Sequence, residues 1–182
     1  MIRRLVAAAA ALSLFATSAF AGDLDRLAHD LERVFGKGSV AVSRGPSRSV
    51  PSHGLPAIVA EMNRQRAAHG LAPLRVNDDL NLAAGDRIAD MFDQRYFAHV
   101  APDGTQPFIW VSRRGYPYRA VGENLAVGYG TAQKVVRGWM ESPGHRANIL
   151  GRSYDEVGIA IANGAPVRGY GGPTIVAIYA SR

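Results

Sequence analysis

Two histidines and two glutamates lie in short motifs between positions 99 and 148 of this 182-residue chain. His99 closes the run Tyr-Phe-Ala-His, and Glu123 follows the glycine of Gly-Glu-Asn-Leu-Ala. Glu141 and His145 share the longer run Trp-Met-Glu-Ser-Pro-Gly-His-Arg-Ala-Asn-Ile-Leu. Imidazoles and carboxylates bind metal ions, transfer protons or hold polar ligands. These four residues are the candidate functional residues, and Glu123, Glu141 and His145 are the candidates for catalysis.

The Ser142-Pro143 pair predicts the local structure around His145. Proline disfavours continuation of the preceding helix, and Ser followed by Pro is a common helix start. We therefore expect a short helix from Pro143 to Leu150, with Ser142 as its N-cap and Gly151 as a left-handed stop. The positive end of this helix disfavours an imidazolium, so His145 is predicted to be neutral and able to ligate metal or accept a proton.

Each candidate also has a purely structural interpretation. Glu141 lies one helical turn after Arg137, with which it could form a surface ion pair. A glutamate on a strand usually points to solvent, as Glu123 could, and a single histidine such as His99 is often a hydrogen-bonded structural residue. The remaining histidines have no motif around them and are predicted to lie on the surface: His29, His53 and His69.

The spacing of apolar residues predicts helices first and strands later. A helical stripe follows Asn77, a good N-cap, and runs through Leu80, Ala84, Ile88 and Met91. Other helices are predicted from Pro56 to Gly70, over Pro107–Arg114 and over Thr131–Glu141. Strand patterns cover Ala120–Val127, Val157–Ala162 and Thr174–Ala180. This order is typical of the α+β class.

The first 56 residues have the composition of an export leader and a tether. Residues 1–21 combine a basic start, an apolar stretch and a small-x-small ending at Ala21, which predicts a cleaved signal peptide. Residues 22–35 form an amphipathic helical pattern, and residues 36–56 are a Gly-, Ser- and Pro-rich flexible linker. The domain itself is predicted over residues 57–182. We expect a periplasmic or extracellular protein whose mature chain has no transmembrane segment.

Charge and cysteine content exclude several classes of function. The net charge is +6, and removal of the two leader arginines leaves +4. Basic residues are dispersed rather than gathered in a stripe, which argues against nucleic-acid binding. The chain has no cysteine, which excludes disulfides, thiolate metal sites and cysteine nucleophiles.

Taken in order, these motifs resemble the signatures of the CAP superfamily, which includes cysteine-rich secretory, antigen 5 and plant pathogenesis-related proteins. The chain is similar to the cysteine-free bacterial branch of SCP-like extracellular domains. The resemblance covers about Ile58 to Ala180 and rests on these segments: Phe97-Ala98-His99, Pro102-Asp103-Gly104, Gly122 to Ala126, Trp139 to Leu150, and Val157-Gly158.

This resemblance implies an α-β-α sandwich, with a small and mostly antiparallel sheet between helical layers. It implies a cleft lined by His99, Glu123, Glu141 and His145, of which Glu141 matches the family pattern least well. His99 and His145 are then candidate ligands for Zn²⁺ or another divalent metal, since two imidazoles and a carboxylate suit zinc. Asn124, Ser142 and Asn148 lie in the same motifs and are expected to support the site.

Three functions remain open from the sequence. The first is a non-enzymatic binding module for a lipid or metal ligand of the envelope or the extracellular space. The second is a peptidase-like hydrolase that uses His and Glu, with or without metal, although the His-Glu-x-x-His and Gly-x-Ser-x-Gly signatures are missing. The third is a protein-partner module with a vestigial cleft.

Overall fold

The computed structural model describes residues 54–182, so the predicted signal peptide, the helix over 22–35 and most of the linker lie outside the described residues. Its elements follow one another as α1 (Leu55–Ala68), β1 (Arg75–Val76), α2 (Asp78–Asp93), α3 (Ile109–Arg113), β2 (Ala120–Val127), α4 (Ala132–Glu141), α5 (Pro143–Ile149), β3 (Glu156–Ala162) and β4 (Thr174–Ser181). Helix α1 begins at Leu55, so the last two residues of the predicted linker 36–56 belong to it. Pro56 fits there because the first turn of a helix needs no amide hydrogen from it.

The four strands form one sheet in the order β1-β3-β4-β2. β4 pairs antiparallel with both β2 and β3, and only the two-residue β1 runs parallel to its neighbour β3. The α+β class and the small, mostly antiparallel sheet are therefore confirmed. β1 had no sequence signal, because two exposed residues carry no periodicity.

Side chains of the central strand β4 alternate between two apolar cores. Val176, Ile178 and Ala180 pack in a core with α2 and α3. Ile175, Ala177 and Tyr179 pack in a second core with residues of α1, α4 and α5. Because successive side chains point to opposite faces of a strand, the sheet lies between two helical layers. This is the α-β-α sandwich that the resemblance implied.

Helix α2 approaches the sheet very closely at Gly158. Asn77 caps the helix as predicted, since its side chain accepts a hydrogen bond from the Leu80 amide at 3.2 Å. A Cβ atom at Gly158 would overlap the backbone of Leu80 and Asn81. The Asn81 side chain also accepts a hydrogen bond from the Ile159 amide at 2.8 Å. The glycine of the Val-Gly motif therefore allows the first turn of α2 to lie directly on β3.

The break between α4 and α5 falls at Ser142, as the sequence predicts. Ser142 has extended backbone angles and Pro143 begins α5, but the Ser142 side chain caps no amide. Gly151 does not adopt the predicted left-handed conformation. A Cβ there would lie 2.6 Å from the Tyr154 ring, so Gly151 is explained by close packing and not by a positive φ.

The outer edge of β2 is covered by side chains. Hydrogen bonds reach the carbonyls of Val121, Glu123 and Leu125, three alternate residues of this strand. Their donors are the Tyr154 hydroxyl at 3.3 Å, the Asn148 amide at 3.0 Å and the Trp139 indole at 3.0 Å. These edge caps attach β2 to α4, α5 and the segment that follows them.

Within residues 54–182, the helices are too short or too polar to cross a lipid bilayer.

Candidate functional site

Glu123 lies near the middle of β2, with its carboxylate almost completely buried. The side chain is 3% exposed, and its two oxygens have different partners. Oε1 lies 2.8 Å from Nδ1 of His99, and Oε2 accepts a hydrogen bond from Nε of Arg87 at 3.0 Å. The prediction of a solvent-facing glutamate on a strand therefore does not apply to Glu123.

Arg87 of α2 is fully buried behind this pair. Besides Glu123, its guanidinium donates to the carbonyls of Ala98 at 2.6 Å and His99 at 2.8 Å. Since a buried guanidinium must satisfy its donors within the protein, these contacts fix Arg87 in one position. The Arg87 guanidinium therefore holds both the Glu123 carboxylate, which contacts the His99 ring, and the backbone of His99 itself.

Asp90 and Tyr96 complete the buried network around Arg87. The guanidinium lies 3.5 Å from Oδ2 of Asp90 and also donates to the Tyr96 hydroxyl, which in turn donates to Asp90. Burial and the hydrogen bond to Asp90 raise the pKa of Tyr96 to about 12, so this hydroxyl remains a donor at neutral pH.

His99 lies in the segment that leaves α2, and its side chain is 54% exposed. The helix ends in a Schellman-type turn, in which Arg95 has a φ of 56° and the Tyr96 amide bonds the Met91 carbonyl at 3.0 Å. With Nδ1 directed at Glu123, the remaining ring nitrogen of His99 is available to a ligand from solvent.

His145 lies in the first turn of α5 and is half-buried. Burial lowers the pKa of His145, and the nearby His99 lowers it further. The direction of this shift is the one expected for a neutral His145. Burial and a second imidazole are two causes that the sequence argument did not include.

Two asparagines attach α5 to the strand that carries Glu123. Asn124 is fully buried and donates to the His145 carbonyl at 3.1 Å and to the Tyr179 hydroxyl at 3.0 Å. Asn148 donates to the Glu123 carbonyl at 3.0 Å and to Oδ1 of Asn124 at 2.8 Å. Asn124 and Asn148 thus hold the backbones of His145 and Glu123 in place.

Close packing around Gly122 explains why the Gly-Glu-Asn motif begins with a glycine. A Cβ atom at this position would lie 2.7 Å from the Tyr154 hydroxyl and 2.8 Å from Oδ1 of Asn148. Both of these side chains donate edge caps to β2. A larger residue would therefore push α5 away from the strand.

Glu141 is an exposed residue at the end of α4. Its side chain is 72% exposed, and its carboxylate lies 4.0 Å from Arg137, which is the ion pair that the sequence offered as the structural interpretation. It lines a shallow groove of about 350 Å³ with five residues of the α4–α5 corner: Met140, Pro143, Arg146, Ala147 and Leu150. His99 contacts Glu123, and His145 lies near enough to His99 for the two rings to interact electrostatically. We call these three residues the imidazole site. Ser142 makes no side-chain capping bond.

The imidazole site offers few protein ligands to a metal ion. Among residues 54–182, no three His, Asp or Glu side chains are arranged to hold one metal ion. Both Glu123 oxygens already have partners. The donors that remain are the two imidazoles, which are fewer than the four ligands of a structural zinc site.

Arg87 is the site residue that the sequence analysis missed. Its signal was present, because Arg87 interrupts the apolar stripe of α2 three residues after Ala84 and four before Met91. A charged residue on the core face of a helix is informative, since arginine is almost never fully buried unless it is paired. Its partner could not be known without the fold, because Glu123 lies 36 residues further along the chain.

Comparisons with known proteins agree with this architecture. The family model described as the cysteine-rich secretory protein family, CAP, matches residues 59–179. The uncharacterized protein YkwD of Bacillus subtilis is 37% identical over 102 residues, and the uncharacterized membrane protein YlbC of the same organism is 29% identical over 96. These matches span 56% and 53% of this chain but only 40% and 28% of the two relatives.

Three solved structures share the fold. An outer surface protein from Borrelia burgdorferi has a TM-score of 0.63 at 20% identity, covering 72% of this chain and 94% of its own. An extracellular SCP-domain protein from Bacillus anthracis has a TM-score of 0.57 at 24% identity, and the match covers 69% of this chain and 39% of that protein. A cysteine-rich secretory protein from Staphylococcus aureus has a TM-score of 0.57 at 20% identity, and the match covers 75% of this chain and 40% of that protein.

Proposed function

Because the chain belongs to the cysteine-rich secretory protein (CAP) family, we propose that it is an exported binding module whose ligand contacts the imidazole site. The observation that carries this proposal is the buried Arg87–Glu123 pair behind a half-exposed His99. Such an arrangement orients an imidazole toward solvent without leaving a free carboxylate for proton transfer.

The ligand that we propose for this site is an exchangeable divalent cation such as Zn²⁺. His99 and His145 would hold it, and Glu123 would orient His99. The lowered pKa of His145 supports this assignment, because only a neutral imidazole ligates metal. When bound, the cation supplies a Lewis-acid position to which a polar group of an envelope or extracellular ligand, including a lipid headgroup, can bind.

Calorimetry with Zn²⁺ tests this function. We expect binding by the wild type and affinity lower by about tenfold or more in His99→Ala and His145→Ala, since each removes one of two ligands. His69→Ala is the matched control, because His69 is exposed and its ring bonds only the Gln65 carbonyl. Equal heats in all four proteins would eliminate zinc at this site.

A hydrolase is the second candidate, and the His99–Glu123 contact is the observation that favours it. A carboxylate that orients an imidazole is the arrangement used by histidine general bases. Glu123 itself is a poor general base, because both of its oxygens accept hydrogen bonds from buried or oriented groups. Peptide and ester turnover should then be lost in Glu123→Gln, and turnover that persists in this variant would come from a contaminant.

Native mass spectrometry of the full chain from its own envelope fraction would identify a co-purified ligand directly. A retained cation would support the metal assignment. A retained lipid that stays bound in His99→Ala would place the ligand outside the imidazole site and contradict the proposal.

A further inference from the structure

We propose that Arg87 is a positioning residue that fixes His99 as its Nδ1–H tautomer and so presents Nε2 to the ligand. The inference rests on the proposed binding function, because it concerns the same site. It depends on one juxtaposition: a single guanidinium contacts both Glu123, the partner of the His99 ring, and the His99 carbonyl.

The contact with Glu123 decides which nitrogen of His99 carries the proton. A carboxylate accepts hydrogen bonds, so the Nδ1 atom 2.8 Å from Oε1 must be the donor. In a neutral imidazole the lone pair then lies on Nε2, which is the nitrogen left for a ligand. A free imidazole side chain in water prefers the opposite tautomer, with the proton on Nε2, so the protein must supply the preference.

Arg87 is needed because Glu123 could not hold this role alone. Its side chain is 3% exposed, and a buried carboxylate requires a compensating charge and hydrogen bonds. Arg87 supplies both through Nε, and the fixed fork of its guanidinium simultaneously reaches the carbonyls of Ala98 and His99. The carboxylate and the backbone of His99 are thus held at a constant separation, which aligns the ring with Glu123.

A second buried arginine shows what a purely structural guanidinium does in this fold. Arg66 of α1 is 3% exposed, and its guanidinium donates hydrogen bonds to backbone carbonyls, those of Ala72, Ile149, Gly151 and Tyr154. It attaches α1 to the end of α5 without contacting the imidazole site. Arg66 is therefore a matched control for the loss of a buried arginine.

Nitrogen-15 NMR of the imidazole rings in the metal-free full chain tests the inference. In mildly alkaline buffer, we expect the wild-type His99 shifts of the Nδ1–H tautomer. Arg87→Lys keeps a buried positive charge but loses the fork geometry, so the shifts of His99 should move toward an average of both tautomers. Arg66→Lys should lower the melting temperature to a similar degree and leave the His99 shifts unchanged.

A zinc titration of the same proteins separates this inference from the proposed function. We expect Arg87→Lys to bind Zn²⁺ several-fold more weakly than Arg66→Lys. If zinc does not bind the wild type but the tautomer still depends on Arg87, the metal assignment fails and the positioning role stands. The positioning role is overturned if folded Arg87→Lys keeps the wild-type His99 shifts. Should that variant not fold, a wild-type His99 with its proton on Nε2 would overturn it equally.

Discussion

Burial lowers the pKa of His145, and the sequence could only indicate the direction of this effect. Its place in the first turn of α5 was evident from Ser142-Pro143, whereas its proximity to His99 depends on chain segments 46 residues apart in the sequence. Glu141 differs from His145, because its contact with Arg137 on the surface is local: a one-turn spacing on α4 brings these two side chains together whatever the fold.

The lowered pKa of His145 predicts an acid-sensitive contribution to stability. As the pH falls through 6.5, the ordinary pKa of a histidine side chain, His145 of the unfolded chain takes up a proton, while His145 of the folded protein stays neutral to a lower pH. The free energy of unfolding should therefore decrease until the pH reaches the lower folded pKa, and level off below it. The contribution is fully present above 6.5.

Urea unfolding of metal-free protein across this pH range measures the effect. His145→Gln should show a flatter decline in the free energy of unfolding below pH 6.5 than the wild type. Parallel curves for the two proteins would show that His145 has the same proton affinity in the folded and unfolded states.

Single elements were largely predictable, whereas their arrangement was not. The helical stripe of α2 and the strand patterns of β2, β3 and β4 all follow from local periodicity, and the structure confirms them. Helix α3 is shorter at both ends than the predicted Pro107–Arg114, since helix boundaries are weakly encoded. The sheet order, the position of β1 and the depth of Arg87 result from contacts between distant segments, and local patterns do not report these.

Alanine substitutions at two glycines should have opposite effects on stability, because only Gly158 lies where α2 closely approaches β3. Gly158→Ala should destabilise the protein by about 1–3 kcal/mol or more, because the new methyl group overlaps the backbone of Leu80 and Asn81. Gly85→Ala should stabilise it by about 0.5–1 kcal/mol, because Gly85 lies inside α2 with no atom within 4 Å of a new Cβ. Urea unfolding curves compare both variants with the wild type. A neutral Gly158→Ala would mean that α2 does not pack against the sheet in this way.

At the scale of the whole molecule, the domain and its export signal are separate predictions from the same sequence. The domain is supported by the family match over residues 59–179 and by shared folds among bacterial surface and extracellular proteins. The leader was predicted from composition alone, and we propose that it is removed after Ala21.

Intact mass measurement of the exported protein tests this proposal. Cleavage should leave residues 22–182, and Ala21→Leu should retain the leader because the residue before the cut must be small. Phe20→Leu is the control, since the position between the two small residues tolerates bulky side chains. An exported wild type that still carries its first 21 residues would contradict the proposal.

The edge caps on β2 have a further consequence for the molecule. A strand at the margin of a sheet normally offers its unpaired backbone to strands of other molecules, which is a route to aggregation. Here Trp139, Asn148 and Tyr154 already occupy three alternate carbonyls of that margin. The protein can therefore carry Glu123 on an edge strand while leaving few free carbonyls there for pairing with a strand of another copy. Asn148 both caps the strand edge and holds α5 against the strand that carries Glu123. We therefore expect its substitution to weaken the protection from self-association and the shape of the imidazole site together.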